Sequence, residues 1–140
     1  KLGAQQLLIN DTDAPRATAL ATRLAKLFAD RRVAAGTDLK AALADADGLV
    51  HATPTGMQKL PGMPVPAECL HPPLWVAEVV YVPLVTELLR VARQHGCRTL
   101  DGSGMAVFQA AMAFELFCGA KPDTARMLGR FNSKLATVAA

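Results

Sequence analysis

Asp11 closes the apolar run Leu7-Leu8-Ile9-Asn10 and directly precedes Asp13-Ala14-Pro15-Arg16, a strong helix-start signal. A carboxylate at the carboxyl end of a strand, where a helix opens, is where a dinucleotide-binding fold holds an adenosine ribose. Such a group accepts hydrogen bonds from both ribose hydroxyls and would repel a 2′-phosphate, so Asp11 bears on which dinucleotide fits. The alternative is a helix N-cap or a solvated loop carboxylate. Asp13 is the better N-cap, since it stands beside Ala14-Pro15, and this favours the ribose role for Asp11. Arg16 could reach the adenosine side or an optional phosphate, or be an exposed helix residue.

Three further islands mix polar residues and glycine: 52–57 (Ala-Thr-Pro-Thr-Gly-Met), 78–84 around Tyr81, and Asp101-Gly102-Ser103-Gly104-Met105 with Gln109 beyond it. Each follows an expected strand, and ligands of open α/β sheets bind at the carboxyl edge. Thr53 and Thr55 could cap the next turn. Gly102 and Gly104 would let backbone approach a ligand closely, ahead of a helix N-terminus carrying partial positive charge. Met105 reads as core by default. Gln109 is the strongly polar residue of an otherwise apolar stretch, so its amide should need a partner: a loop backbone group or a ligand.

Elements must position these groups. The pattern predicts a buried strand over 5–10 and a helix over 14–29 with Ala17, Leu20, Ala21, Leu24, Leu27 and Phe28 on its apolar face. A strand near Arg32–Ala35, a short helix over 38–44 and a strand over 48–52 follow. Residues 61–73 hold five prolines and should lack regular structure. The run 74–80 reads as a strand covered on both faces, 84–94 as an amphipathic helix ended by Gly96, and Arg98–Leu100 as a strand. Residues 105–118 are apolar nearly all round and should form a buried helix, and Pro122 should open a last helix to about Leu135. This alternation implies a Rossmann-like, doubly wound parallel α/β sheet with C-terminal helices. The strand over 5–10 reads as the sheet's second. A first strand and its glycine-rich turn, expected about 20 residues before Asp11, do not occur in these 140 residues. Lys1-Leu2-Gly3 reads as the end of a helix with Gly just past it, so the chain is expected to be part of a longer one. Without the first strand it should fold poorly alone.

Composition narrows the function. The 140 residues make one partial domain, and 51% are hydrophobic, enough for a core. A net charge of +3 comes from dispersed cations, and 5% aromatic content gives nucleic-acid binding little support. No apolar stretch of about 18 residues escapes charge or proline, so no membrane helix is expected. Cys69, Cys97 and Cys118 lack metal-ligand spacing and read as free thiols of a reducing cytoplasm. No metal site is expected.

The stretches ATPTGM at 52–57, VVYVPLVTELL at 79–89 and CRTLDGSGMAVFQAAMAFELFCG at 97–119 resemble the shikimate/quinate dehydrogenase family, in its order. The resemblance covers essentially the whole chain, as that family's C-terminal cofactor-binding domain. It implies reversible hydride transfer between NAD(P) and a cyclic polyol carboxylate: shikimate, quinate or aminoshikimate. The catalytic Lys–Asp pair belongs to an N-terminal domain absent from this chain, so the 140 residues alone should be inactive. Members specific for NADP show an Asn-Arg-Thr pattern where this chain has Asn10-Asp11-Thr12, which resembles the NAD-preferring branch; NADP is left possible. The resemblance further implies that Thr53, Val79, Gly102 and Met105 line the cofactor and that Tyr81 and Gln109 bind substrate, Tyr81 at its carboxylate and Gln109 at a ring hydroxyl. His51 and Glu78 depart from the pattern, which usually has Asn and Asp there, and His51 is not assigned as a base. The competing reading is a non-catalytic Rossmann-like module that binds a nucleotide or a partner chain.

Overall fold

The computed structural model describes residues 3–138, so Lys1 and Leu2 of the expected preceding helix lie outside the described residues. The chain forms two compact units, one ending at Asp45 and the other starting at Ala46.

In the first unit, β1 (Gln6–Ile9) pairs in parallel with β2 (Arg32–Ala35), Gln6 opposite Arg32 and Ile9 opposite Ala35. The connecting α1 (Ala14–Leu27) starts where the sequence signals it: Asp13 accepts the Arg16 amide at 3.0 Å, with Pro15 in the first turn. Ala17 and Ala21 are buried, and Leu20 and Leu24 are partly covered, but Leu27 and Phe28 stay exposed. The expectation of a buried first strand is corrected: Leu7 and Leu8 are exposed. Within this unit β1 has a single ladder partner, which leaves much of a four-residue strand uncovered. The short α2 (Leu39–Ala44) is capped by Asp38, which accepts the Ala41 amide, and buries Leu43.

In the second unit, β3 (Gly48–His51), β4 (Trp75–Glu78) and β5 (Arg98–Leu100) form a parallel sheet in the order β3-β4-β5. The core is built from Leu74, Val76 and Val80 in and around β4, Leu88, Leu89 and Ala92 of the next helix, and Val65, Cys69 and Leu70. The last three come from the proline-rich segment. It is irregular as expected except for one 3-10 turn, Ala67–Cys69, started after Pro66. In β4, Val76 and Glu78 are buried while Trp75 is exposed and Ala77 half-buried, so one face is sealed rather than two.

α3 (Glu87–Gln94) begins three residues later than its apolar spacing predicts. Thr86 accepts the Leu89 amide at 3.3 Å and sets the start, leaving 82–85 as a bend. α4 (Ser103–Cys118) begins two residues earlier than expected and ends at Gly119, whose φ of 67° suits a left-handed cap. Its burial is the largest departure from the sequence reading. Only Ser103, Val107 and Ala111, four residues apart on one stripe, are buried, while Leu116 is 81% and Phe117 84% exposed. A helix that is apolar on every side needs cover on every side, and the described residues supply it along one stripe only. α5 (Thr124–Val138) is capped by Asp123 through the Arg126 amide at 2.9 Å, so Pro122 precedes the cap instead of opening the helix. These strands and crossovers make a Rossmann-like, doubly wound parallel α/β fold.

Candidate functional site

Asp11 stands just past the end of β1, exposed, ahead of α1. Its Oδ1 accepts the Asp13 amide at 2.9 Å and the Thr12 hydroxyl at 3.4 Å. Asp13 takes the N-cap role expected of it, but Asp11 is not wholly free: one oxygen holds the turn and the other has no partner among the described residues. The turn fixes the carboxylate at the strand end with an acceptor facing solvent. Arg16 is exposed in the first turn of α1.

In the second unit the carboxyl ends of the three strands carry the remaining residues. His51 ends β3 and Glu78 ends β4, directly opposite in register. Both are 4% exposed, and His51 Nδ1 lies 2.8 Å from Glu78 Oε1. Glu78 Oε1 also accepts the Val80 amide at 3.0 Å, and Oε2 accepts the Thr86 hydroxyl at 2.9 Å. Burial alone would push this carboxyl up. The hydrogen bonds from His51, the Val80 amide and Thr86 outweigh it and hold the group below its ordinary value. On the far side of the ring, His51 Nε2 lies 2.6 Å from Thr53 Oγ1, which also accepts the Thr55 amide at 3.3 Å. The network thus runs from buried Thr86 to exposed Thr53.

Sequence reasoning singled out Thr53 but missed the chain behind it. The available signal was two polar residues, each ending an apolar strand that the crossover makes neighbours. An ionisable group at such a place must find a partner.

The β4 and β5 ends touch. Gly102 is buried, and a Cβ there would come within 2.8 Å of the Val79 carbonyl oxygen and 2.9 Å of that of Val80. The close approach that glycine permits here is to the chain's own backbone. Val79 is half-buried. Tyr81 is 42% exposed, its ring centroid 6.0 Å from that of Phe131 on α5. Met105 and Gln109, four residues apart on α4, are both exposed. The expected burial of Gln109 is corrected: its amide is at the surface, without a hydrogen-bond partner among the described residues, because this face of α4 has no cover there. Two open grooves lie elsewhere, one along α1 and β2 and one between α4 and α5, and neither is lined by Asp11, Thr53, Tyr81 or Gln109.

An acidic strand end before a helix, and hydroxyl, phenol and glycine at the ends of parallel strands, define a Rossmann-like domain of the kind that serves oxidoreductases. The chain belongs to the shikimate/quinate dehydrogenase family. It is 58% identical over 140 residues to the shikimate dehydrogenase (NADP(+)) of Streptomyces avermitilis, covering 99% of this chain and 48% of that protein. It is 46% identical to the quinate/shikimate dehydrogenase (NAD(+)) of Corynebacterium efficiens, covering 94% of this chain and 47% of that one. Among solved structures, quinate dehydrogenase from Corynebacterium glutamicum in complex with NAD superposes with a TM-score of 0.86 at 44% identity, over 94% of this chain and 47% of that one. The chain therefore spans about half the length of the curated relatives it matches. No family model matches.

Proposed function

We propose that this chain is the cofactor-binding domain of a shikimate/quinate 3-dehydrogenase that prefers NAD. The observation that carries the preference is Asp11: an exposed carboxylate, anchored by one oxygen at the end of β1 and with the other unpartnered among the described residues. Such a group suits a ribose diol and opposes a 2′-phosphate. The relatives' names divide between the two cofactors, so the family alone leaves the preference open.

Bound NAD would supply the hydride acceptor. This chain's residues would bind and orient. Asp11 holds the adenosine ribose, with Arg16 on the same side. Thr53 and Val79, with Met105 on α4, face the nicotinamide end, and Gly102 supports the turn beneath it. Tyr81 donates its phenol to the substrate carboxylate, and Gln109 bonds a ring hydroxyl. The partner is a small cyclic polyol carboxylate. The Lys–Asp pair that handles the hydroxyl proton would come from residues outside these 140. Three unpaired thiols fit a reducing cytoplasm.

The test is steady-state kinetics of the intact protein with shikimate and quinate against each cofactor. A kcat/KM for NAD well above that for NADP is expected; the reverse order would overturn the preference, and no turnover with either polyol would overturn the assignment.

A further inference from the structure

With a neutral imidazole, the buried pair His51–Glu78 sets the direction of the Thr53 hydroxyl. Two neighbours donate hydrogen bonds to the Glu78 carboxylate. Val80 offers a backbone N–H to Oε1 at 3.0 Å, and the Thr86 hydroxyl points to Oε2 at 2.9 Å. Thr86 is free to donate because its own oxygen accepts the Leu89 amide at 3.3 Å. Glu78 is therefore an acceptor at both oxygens, and the 2.8 Å contact to His51 takes the proton on Nδ1. In a neutral imidazole this leaves Nε2 as an acceptor. The group 2.6 Å from Nε2 is the Thr53 hydroxyl, which must then give its proton inward. Thr53 Oγ1 receives the Thr55 amide on one lone pair, weakly at 3.3 Å. What it presents to solvent is a single lone pair.

We propose that Glu78 and His51 are positioning residues that fix the direction of the Thr53 hydroxyl, making Thr53 a pure hydrogen-bond acceptor for a hydroxyl or amide N–H of the bound dinucleotide. The inference rests on the dinucleotide reading of this strand end. A donor group of the ligand, such as a ribose hydroxyl or the carboxamide of nicotinamide, is accepted there; a ligand oxygen carrying no proton is refused. An isolated threonine would rotate its hydroxyl to suit either. The chain of three groups removes that freedom before the ligand arrives, which is how a fixed dipole gains selectivity.

Two measurements on the intact protein test this. Long-range 1H–15N correlation spectra of histidine-labelled protein read the tautomer directly, with the His51 signals assigned by their loss in His51→Gln. The Nδ1–H tautomer is expected at neutral pH; the Nε2–H tautomer or a doubly protonated ring would overturn the proposal. NADH binding is measured alongside by fluorescence titration. Thr53→Val should weaken it about tenfold and Thr53→Ser should keep it within about twofold, because serine retains the hydroxyl. Glu78→Gln should scramble the tautomer and weaken NADH severalfold, since its amide offers either polarity to Nδ1. If that variant does not fold, the wild-type tautomer and the two Thr53 variants still decide. Unchanged NADH affinity in Thr53→Val would overturn the acceptor role. A wild type with the Nδ1–H tautomer that binds neither NADH nor NADPH would overturn the dinucleotide reading itself while sustaining the hydroxyl's direction, so the two failures are told apart.

Discussion

His51 and Glu78 are direct register partners at the ends of β3 and β4, and their side chains meet at 2.8 Å with almost no solvent contact. A parallel ladder brings residues 27 apart in sequence into one hydrogen bond, and the bond extends to Thr86 at the start of α3. The strand ends that carry the proposed binding residues are thus tied to the helix that follows them.

Glu78→Ala leaves a buried imidazole and a buried hydroxyl without their acceptor and should cost about 1–3 kcal/mol for each group left unsatisfied. Because the folded carboxyl sits below its ordinary value of 4.5, its contribution is fully present above that pH. It is lost as pH falls through the folded value. Thermal denaturation between pH 3 and pH 7, on the order of the range where carboxylates titrate, should show a steeper acid loss for wild type than for Glu78→Gln. Parallel curves would refute the coupling.

Asp11 should govern cofactor choice. Asp11→Ser removes a charged acceptor, and hydrogen bonds to charged groups are worth about 1.5–3 kcal/mol. NAD efficiency should fall roughly ten- to hundredfold while NADP use improves. The measurement is the ratio of the two kcat/KM values. A ratio unmoved by the substitution would remove Asp11 from the ribose.

Gln109 should act on the substrate side. Gln109→Ala should raise the substrate KM about two- to tenfold, the range of a neutral hydrogen bond, with a smaller change in the KM for cofactor. The opposite split would move Gln109 to the cofactor. Its surface position makes the test clean, since removing an exposed amide leaves no buried group unpaired.

The thiols should differ in reactivity. Burial pushes the Cys97 thiol up, and its Sγ donates to the His71 carbonyl oxygen at 3.3 Å. Cys69 is buried as well, whereas Cys118 is exposed at the end of α4. Brief iodoacetamide treatment of the native protein followed by mass mapping should label Cys118 first. Prior labelling of Cys97 would contradict the packing around it.

Much of this was legible in the sequence, for identifiable reasons. The Asp13-Ala14-Pro15 signal locates the start of α1, because a side-chain cap and a proline in the first turn are local chemistry. Apolar spacing finds α3 but overshoots its start, since Leu84 and Val85 suit a helix by type while Thr86 caps it later. Exposure was the harder quantity. Gln109 looked buried because its neighbours are apolar, yet an apolar neighbour on the same helix says nothing about what covers the pair. The His51–Glu78 bond was hidden for a related reason. It depends on ladder register, and register is a relation between two strands that neither strand states alone.

Gly102 carries a last consequence. With no side chain, it rests directly on the carbonyls of Val79 and Val80 and against the Cβ of Tyr81. The two bends are therefore stapled, and a shift of the phenol would drag the head of α4 with it. Any side chain at 102 would wedge them apart, so a methyl group introduced there would be felt as a displaced tyrosine.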